Sequence, residues 1–287
     1  ETWPSLDVPP PIMPEFNALV NFDKIPPAPV RLNESACPTT NSYCNWYCTG
    51  CLNEDITNCP NPGVDLLSFL KSQGITITFF VIGSNVVKHP EILKQAYNLG
   101  HEIGIHTWSH PYLTTQSNQQ IIAELQWTAK IINATIGVTP AYMRPPYGDV
   151  DDRVRNIASQ LGYKVVLWDR DTKDWMFSNS AFKFSWIEEN FTTWVNQPST
   201  TGHISLEHDL YNQTAMQGPK IVPILLGAHY KIKPVALCTG DTNPYQSDLN
   251  DSSNNGSTQT TCSSNSPTST STSTAVTAGL SASTSVD

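Results

Sequence analysis

The stretch Gly100–Leu113, "GHEIGIHTWSHPYL", decides how the rest of the chain is read. Ile103 and Ile105 alternate with polar neighbours, the period of a half-buried strand, and the run ends on His106 with His110 about one tight turn beyond. A helix-period segment, "PEILKQAYNLG", comes immediately before it. The same pattern recurs through the middle of the chain. "GVDLLSFLKSQG" leads to "ITITFFVIG", "SNQQIIAELQWTAKIINATIG" to "AYMRPP", and "DVDDRVRNIASQLG" to "YKVVLWD". "FKFSWIEENFTTWVNQ" then leads to "GHISLEH", and "AMQGPKIVPILLGAHY" to "KIKPVAL". Alternating helices and buried strands predict an α/β fold with a parallel sheet. So many units without a Gly-rich phosphate loop favour a barrel over a dinucleotide-binding fold.

Functional groups of such folds gather at the C-terminal ends of the strands. Arg144, two prolines and Tyr147 follow "AYM"; Asp169, Asp171, Asp174 and Trp175 follow "KVVLW"; His208 and Asp209 follow "HISLE". Each has an ordinary structural reading as a surface corner, a solvated acidic loop or a packed histidine. Together they set two histidines, an arginine, an aspartate cluster, aromatics and a further histidine on one barrel face, which is the make-up of a metal-assisted hydrolase. Two neutral imidazoles on one turn can share a divalent ion, but a catalytic site of this kind usually has a third protein ligand and an open position for water.

Composition bounds the rest. The 287 residues are 39% apolar with eight tryptophans, enough for one substantial core, expected between about residues 33 and 236. From Ser247 onward almost no large apolar residue occurs, so that segment is expected to be a disordered, O-glycosylatable stalk. A net charge of -9 with no cluster of Lys and Arg argues against a nucleic-acid partner, and no apolar run reaches membrane-spanning length. The start at Glu1 without a methionine and the sequons at Asn33, Asn133, Asn190, Asn212, Asn250 and Asn255 read as a mature secreted protein. Five of the seven cysteines crowd into "CPTTNSYCNWYCTGCLNEDITNC", where disulfides are favoured over a zinc knuckle. Cys238 lies just past the last predicted strand, and the pairing stays open.

"HTWSH", "RPPYGD", "DTKDW" and "LEHD" resemble, in order and spacing, four of the five motifs of the polysaccharide deacetylase family, across about Cys37 to Leu237; the wider context is similar to fungal chitin deacetylases. The resemblance implies a distorted (β/α) barrel that removes acetyl from N-acetylglucosamine units with water on a divalent metal, zinc or cobalt. It makes His106 and His110 the metal histidines, His208 the acid that protonates the leaving amine, and Arg144 and Asp174 the pair that orients the base. It places Leu206 near the acetyl methyl, Trp175 on a wall of the substrate groove, and the backbone amide of Tyr147 at the oxyanion. The expected divisions are an N-terminal extension over 1–32, a Cys-rich segment over 33–62, the barrel over 63–240 and the stalk over 241–287. The expected partner is chitin or a chito-oligosaccharide, met by a monomer that is secreted or held in the cell wall. A lipid anchor would need a longer precursor, because no hydrophobic tail follows "SASTSVD".

The chain departs from the family at the motif that comes first, a strand ending in two aspartates of the type "TFDDGP". Here "DITNCPNP" runs almost directly into "VDLLSFL", and a forced alignment would put Thr57 and Asn58 at the aspartate positions. The preferred reading is that the first strand and its loop, about fifteen residues, are absent. Three explanations stay open: an inactive relative that keeps the sugar groove, a defective gene model or splice form of an active enzyme, or substitution by Asp55 or Asp65.

Overall fold

The computed structural model describes residues 2–37, 43–51, 66–199, 201–209 and 211–246, within a compact unit that runs from Glu1 to Asp248. Two one-turn helices come first, α1 (Pro14–Asn17) and α2 (Trp46–Thr49). The helix α3 (Leu66–Gln73) leads to β1 (Thr78–Val81), and α4 (Gly83–Lys88) with α5 (Pro90–Asn98) to β2 (Glu102–Ile105). The long α6 (Asn118–Ile136) precedes β3 (Thr139–Pro140) and β4 (Tyr142–Met143); α7 (Asp152–Gln160) precedes β5 (Lys164–Val165) and β6 (Arg170–Asp171). The helix α8 (Ser185–Val195) leads to β7 (Ser205–Leu206). Then come α9 (Asn212–Ala215), α10 (Gly218–Gly227), α11 (Val235–Thr239) and β8 (Tyr245–Gln246).

The helix ends follow local chemistry. Ser117 accepts a hydrogen bond from the Gln120 amide to start α6, and Gly137 ends that helix at φ +79°. Asp151 caps α7 by accepting from the Val154 amide at 2.9 Å. Ile121, Ile122, Leu125 and Ile132 of α6 are fully buried with Ile103 and Ile105 of β2, each worth roughly 1.5–3 kcal/mol of apolar burial.

Parallel strands run in the order β1-β2-β4-β5, with Thr78 opposite Glu102 and Val81 opposite Ile105. The stretch 164–171 carries β5 on β4 and then β6 on β7, also in parallel, so it joins the two ladders. Among the described residues β1 pairs with β2 alone, and no described strand joins β7 to β1. That is where the absent first strand was expected. Residues 52–65, with Asp55, Asp65, Thr57 and Asn58, lie outside the described residues, as does the predicted stalk from Ser247.

The compact body reaches further toward the N-terminus than the span 33–236 expected from composition. Trp3 and Phe16 stand edge-on to Trp127 of α6, at ring-centroid distances of 6.3 and 5.4 Å. The indole N–H groups of Trp127 and Trp108 donate to the carbonyls of Pro11 and Ser5, each at 3.0 Å. Arg31 forms a buried ion pair with Asp149 at 2.6 Å.

The cysteine-rich segment is cross-linked by Cys37–Cys48 and Cys44–Cys51, in line with the disulfide reading, and Cys238 is disulfide-bonded as well. This staple holds Trp46 against Trp168, at 4.9 Å between centroids, and against Gly148, where a Cβ would lie 2.0 Å from the indole. One predicted strand is a helix: "KIKPVAL" ends in α11. The amides of Val235 and Ala236 are taken by the Thr78 hydroxyl at 2.8 Å and the buried Glu102 carboxylate at 3.0 Å. Two strands thus supply the cap that the local sequence lacks.

Candidate active site

The turn after β2 is built to aim two rings. His106 extends the strand, its amide donating to the Val81 carbonyl at 2.9 Å, and its Nδ1 lies 2.7 Å from the Arg144 carbonyl. A carbonyl only accepts, so Nδ1 carries the proton and Nε2 presents its lone pair. Thr107 and His110 both take positive φ, +64° and +61°, which turns the chain sharply enough to bring His110 back over His106. The two Nε2 atoms are 3.1 Å apart.

That turn is held from behind by a residue the sequence reading missed. Glu124 of α6, fully buried, accepts from the amides of Trp108 and Ser109 at 2.8 and 2.9 Å and from the Ser109 hydroxyl at 2.6 Å. Its only sequence signal was a carboxylate on the apolar face of a helix.

Burial, followed by the neighbouring His110, holds the His106 imidazole well below its ordinary range; burial and then His208 hold His110 at about 4. Both rings are therefore neutral at pH 7, the form that ligates a cation. Two ligands at about 2.0–2.1 Å in a tetrahedron sit roughly 3.3 Å apart, so this pair suits two corners of a zinc site. Among the described residues no third His, Cys, Asp or Glu joins them.

Arg144 follows β4, with its amide on the Ile105 carbonyl at 2.9 Å. The residue is 5% exposed, and its guanidinium lies 4.5 Å above the Phe80 ring and 5.7 Å from Trp168. Burial lowers it to about 10, against the pull of Glu207, and it stays a cation at pH 7. Its Nε and Nη2 find no hydrogen-bond partner among the described residues.

His208, after β7, is gripped by Asp174, which accepts from its amide at 2.6 Å and from Nδ1 at 2.7 Å. The sequence reading gave Asp174 and Arg144 the shared role of orienting the base; in the structure the carboxylate of Asp174 contacts His208. His106, His110, Arg144, Leu206 and His208 all line one cleft of about 530 Å³. Tyr147 stands at φ +60° with its ring 4.7 Å from His110 and stacked on Tyr112 at 3.8 Å. Trp175, 53% exposed, lies beside Asp174 and is not among the residues lining the cleft. Glu207, also missed from sequence, does line it; its Oε2 accepts from the Ser205 hydroxyl at 3.2 Å and its Oε1 is buried with no partner among the described residues. Burial and then Asp174 push its carboxyl well above the usual range.

Comparison with known proteins places this arrangement. Residues 58–166 match the polysaccharide deacetylase family. Chitin deacetylase 1 of Cryptococcus neoformans is 37% identical over 90% of this chain, which spans 63% of that protein's length. Chitin deacetylase 1 of Saccharomyces cerevisiae is 35% identical over 84% of this chain and 80% of its own length. The chitin deacetylase structure from Colletotrichum lindemuthianum superposes with a TM-score of 0.60 at 28% identity, over 67% of this chain and 90% of that one. Sequence similarity over most of a relative's length and a shared fold agree: the chain belongs to the polysaccharide deacetylase family.

Proposed function

We propose that this cleft serves the hydrolytic de-N-acetylation of chitin, or of chito-oligosaccharides, outside the cell or in its wall. The observation that carries the reading is the convergence on one cleft of two lone-pair imidazoles, His106 and His110, with a third, His208, whose Nδ1 is held by a carboxylate. The substrate class is supported by relatives that are named chitin deacetylases.

In this reaction the amide C–N bond breaks, the acetyl carbon takes the oxygen of water to leave as acetate, and the nitrogen takes a proton. His208 supplies that proton from Nε2, because Asp174 fixes the ring and stabilises its cationic form. In this reading the Tyr147 amide donates to the oxyanion, Leu206 contacts the acetyl methyl, and Trp175 flanks the sugar chain. Arg144 has two buried donors ready to orient a carboxylate base. His106 and His110 would hold the divalent metal, zinc or cobalt, which when bound polarises the acetyl oxygen and acidifies water.

A second reading has its own observation. The described residues bring no carboxylate to the histidine pair and leave Arg144 without one, which favours a catalytically impaired relative that binds chitin in the wall. The experiment is acetate release from chitin hexamer with zinc, by the chain as it stands and by a form given an upstream strand ending in two aspartates. Zinc-dependent release by either form that His208→Ala abolishes supports the deacetylase reading. No release from both, with chitin still bound, supports the impaired relative, and neither release nor chitin binding overturns both.

A further inference from the structure

The cysteine-rich segment, which the proposed reaction does not use, reaches the histidine turn through a row of rings. Tyr47 of α2 stands edge-on to Tyr112 at 5.4 Å, Tyr112 stacks on Tyr147 at 3.8 Å, and Tyr147 meets the His110 ring at 4.7 Å. Trp46, the neighbour of Tyr47 on the same turn, packs its indole against Gly148, the neighbour of Tyr147. Two consecutive residues of α2 thus converge on one loop.

What they hold is strained. His110 and Tyr147, in contact at the end of the row, both take left-handed backbone, at φ +61° and +60°. A residue with a Cβ keeps that conformation only where its surroundings over-determine it. His106 and His208 are each fixed at Nδ1 by an acceptor from another segment, the Arg144 carbonyl and the Asp174 carboxylate. The His110 ring is met by the Tyr147 ring, edge to face at 66°.

The four residues of α2 do not repay helix nucleation by themselves, so the turn is made rigid from outside. Cys37–Cys48 and Cys44–Cys51 bridge it across separations of 11 and 7 residues. The Asn45 side chain caps it on the Cys48 amide at 2.7 Å, and the Trp46 amide donates to the Val150 carbonyl at 3.0 Å.

We propose that the stapled turn α2 buttresses the histidine pair, with Tyr47 and Tyr112 as positioning residues that act through Tyr147 to fix the His110 ring in the orientation a cation needs. This role rests on reading His106 and His110 as metal ligands, and two measurements keep the role and the reading apart.

The first is NMR of the full, metal-free chain with isotope-labelled histidine, in the parent and in Tyr47→Leu, Tyr112→Leu and Tyr112→Phe. The His110 ring signals, assigned by their loss in His110→Gln, are expected to shift and broaden in both leucine variants and to stay near the parent in Tyr112→Phe, which keeps the ring. The His208 signals should hold in all three. The second is zinc affinity by competition with a chromophoric chelator, expected to fall about three- to tenfold in the leucine variants, the size of one aromatic pair, and to return in Tyr112→Phe. Tyr47 is 38% exposed, so its replacement removes little packing and decides the matter should Tyr112→Leu misfold. Unmoved His110 signals in Tyr47→Leu overturn the proposal, as does a His208 shift equal to that of His110, which would mean general loosening, or equal zinc affinity in parent and variants. Zinc bound by none of the forms, with His110 responding as stated, supports the positioning of His110 and overturns its reading as a metal ligand.

Discussion

Asp174 holds His208 at two points, the backbone amide at 2.6 Å and the ring Nδ1 at 2.7 Å, so one buried carboxylate fixes the position, rotation and tautomer of the ring. The sequence distance between them is thirty-four residues, and the pairing exists because β6 and β7 are parallel neighbours with Asp171 opposite Leu206.

In an acetate-releasing form, Asp174→Asn is therefore expected to lower kcat about a hundredfold or more while KM changes little, since the amide no longer stabilises the imidazolium. His208→Ala should match or exceed it, and the double variant should lose no more than His208→Ala alone. Steady-state acetate release on chitin hexamer measures all three; additive losses would separate the two residues.

Glu124 is expected to control the histidine turn. Glu124→Ala leaves the buried amides of Trp108 and Ser109 without an acceptor, which costs about 3 kcal/mol or more. Urea unfolding gives the stability. Zinc titration of the folded variant should show weaker binding than the parent, whereas unchanged zinc affinity would mean that Thr107 and His110 hold the turn alone.

Glu102 predicts a pH dependence. Burial pushes its carboxyl up to about 7, against the Ala236 amide and the Thr78 hydroxyl, which favour the charged form. The folded chain thus holds the proton more tightly than the unfolded chain, whose Glu titrates near 4.5. The stabilising contribution is complete below that value and is lost as pH rises through about 7. Relative to Glu102→Gln, the parent should lose on the order of 2–3 kcal/mol between pH 4 and pH 8. Urea midpoints at both pH values check it, and a difference independent of pH would show that Glu102 is ionised throughout.

With two imidazoles and no carboxylate beside them among the described residues, zinc binding to the chain should be weak, and acetate release from chitin oligomers small or nil. His106→Ala and His110→Ala should each abolish the zinc heat in calorimetry. Insertion of an upstream strand ending in two aspartates should tighten zinc and restore acetate release. Robust release from the chain as it stands would mean that a base lies elsewhere, with Asp55 the first residue to replace.

What the sequence determined by itself is whatever local periodicity and covalent neighbours control. The alternation in "HEIGIH" put His106 at a strand end, Ser117 and Gly137 bounded α6, and the crowded cysteines declared disulfides. A period of two or 3.6 is visible within a short window, and so are caps, because both arise from residues a few positions apart. The tertiary structure alone decided the contacts between distant segments: Glu124 under the histidine turn, Asp174 on His208, Arg31 on Asp149, and Trp3 and Phe16 on Trp127. It also overrode a local preference, turning the β-rich "KIKPVAL" into the start of a helix, because Thr78 and Glu102 reach its free amides from two strands. Buried donors and acceptors must be paired, and the partner is chosen by whichever group the packed chain brings within hydrogen-bond distance. No window of sequence contains that choice.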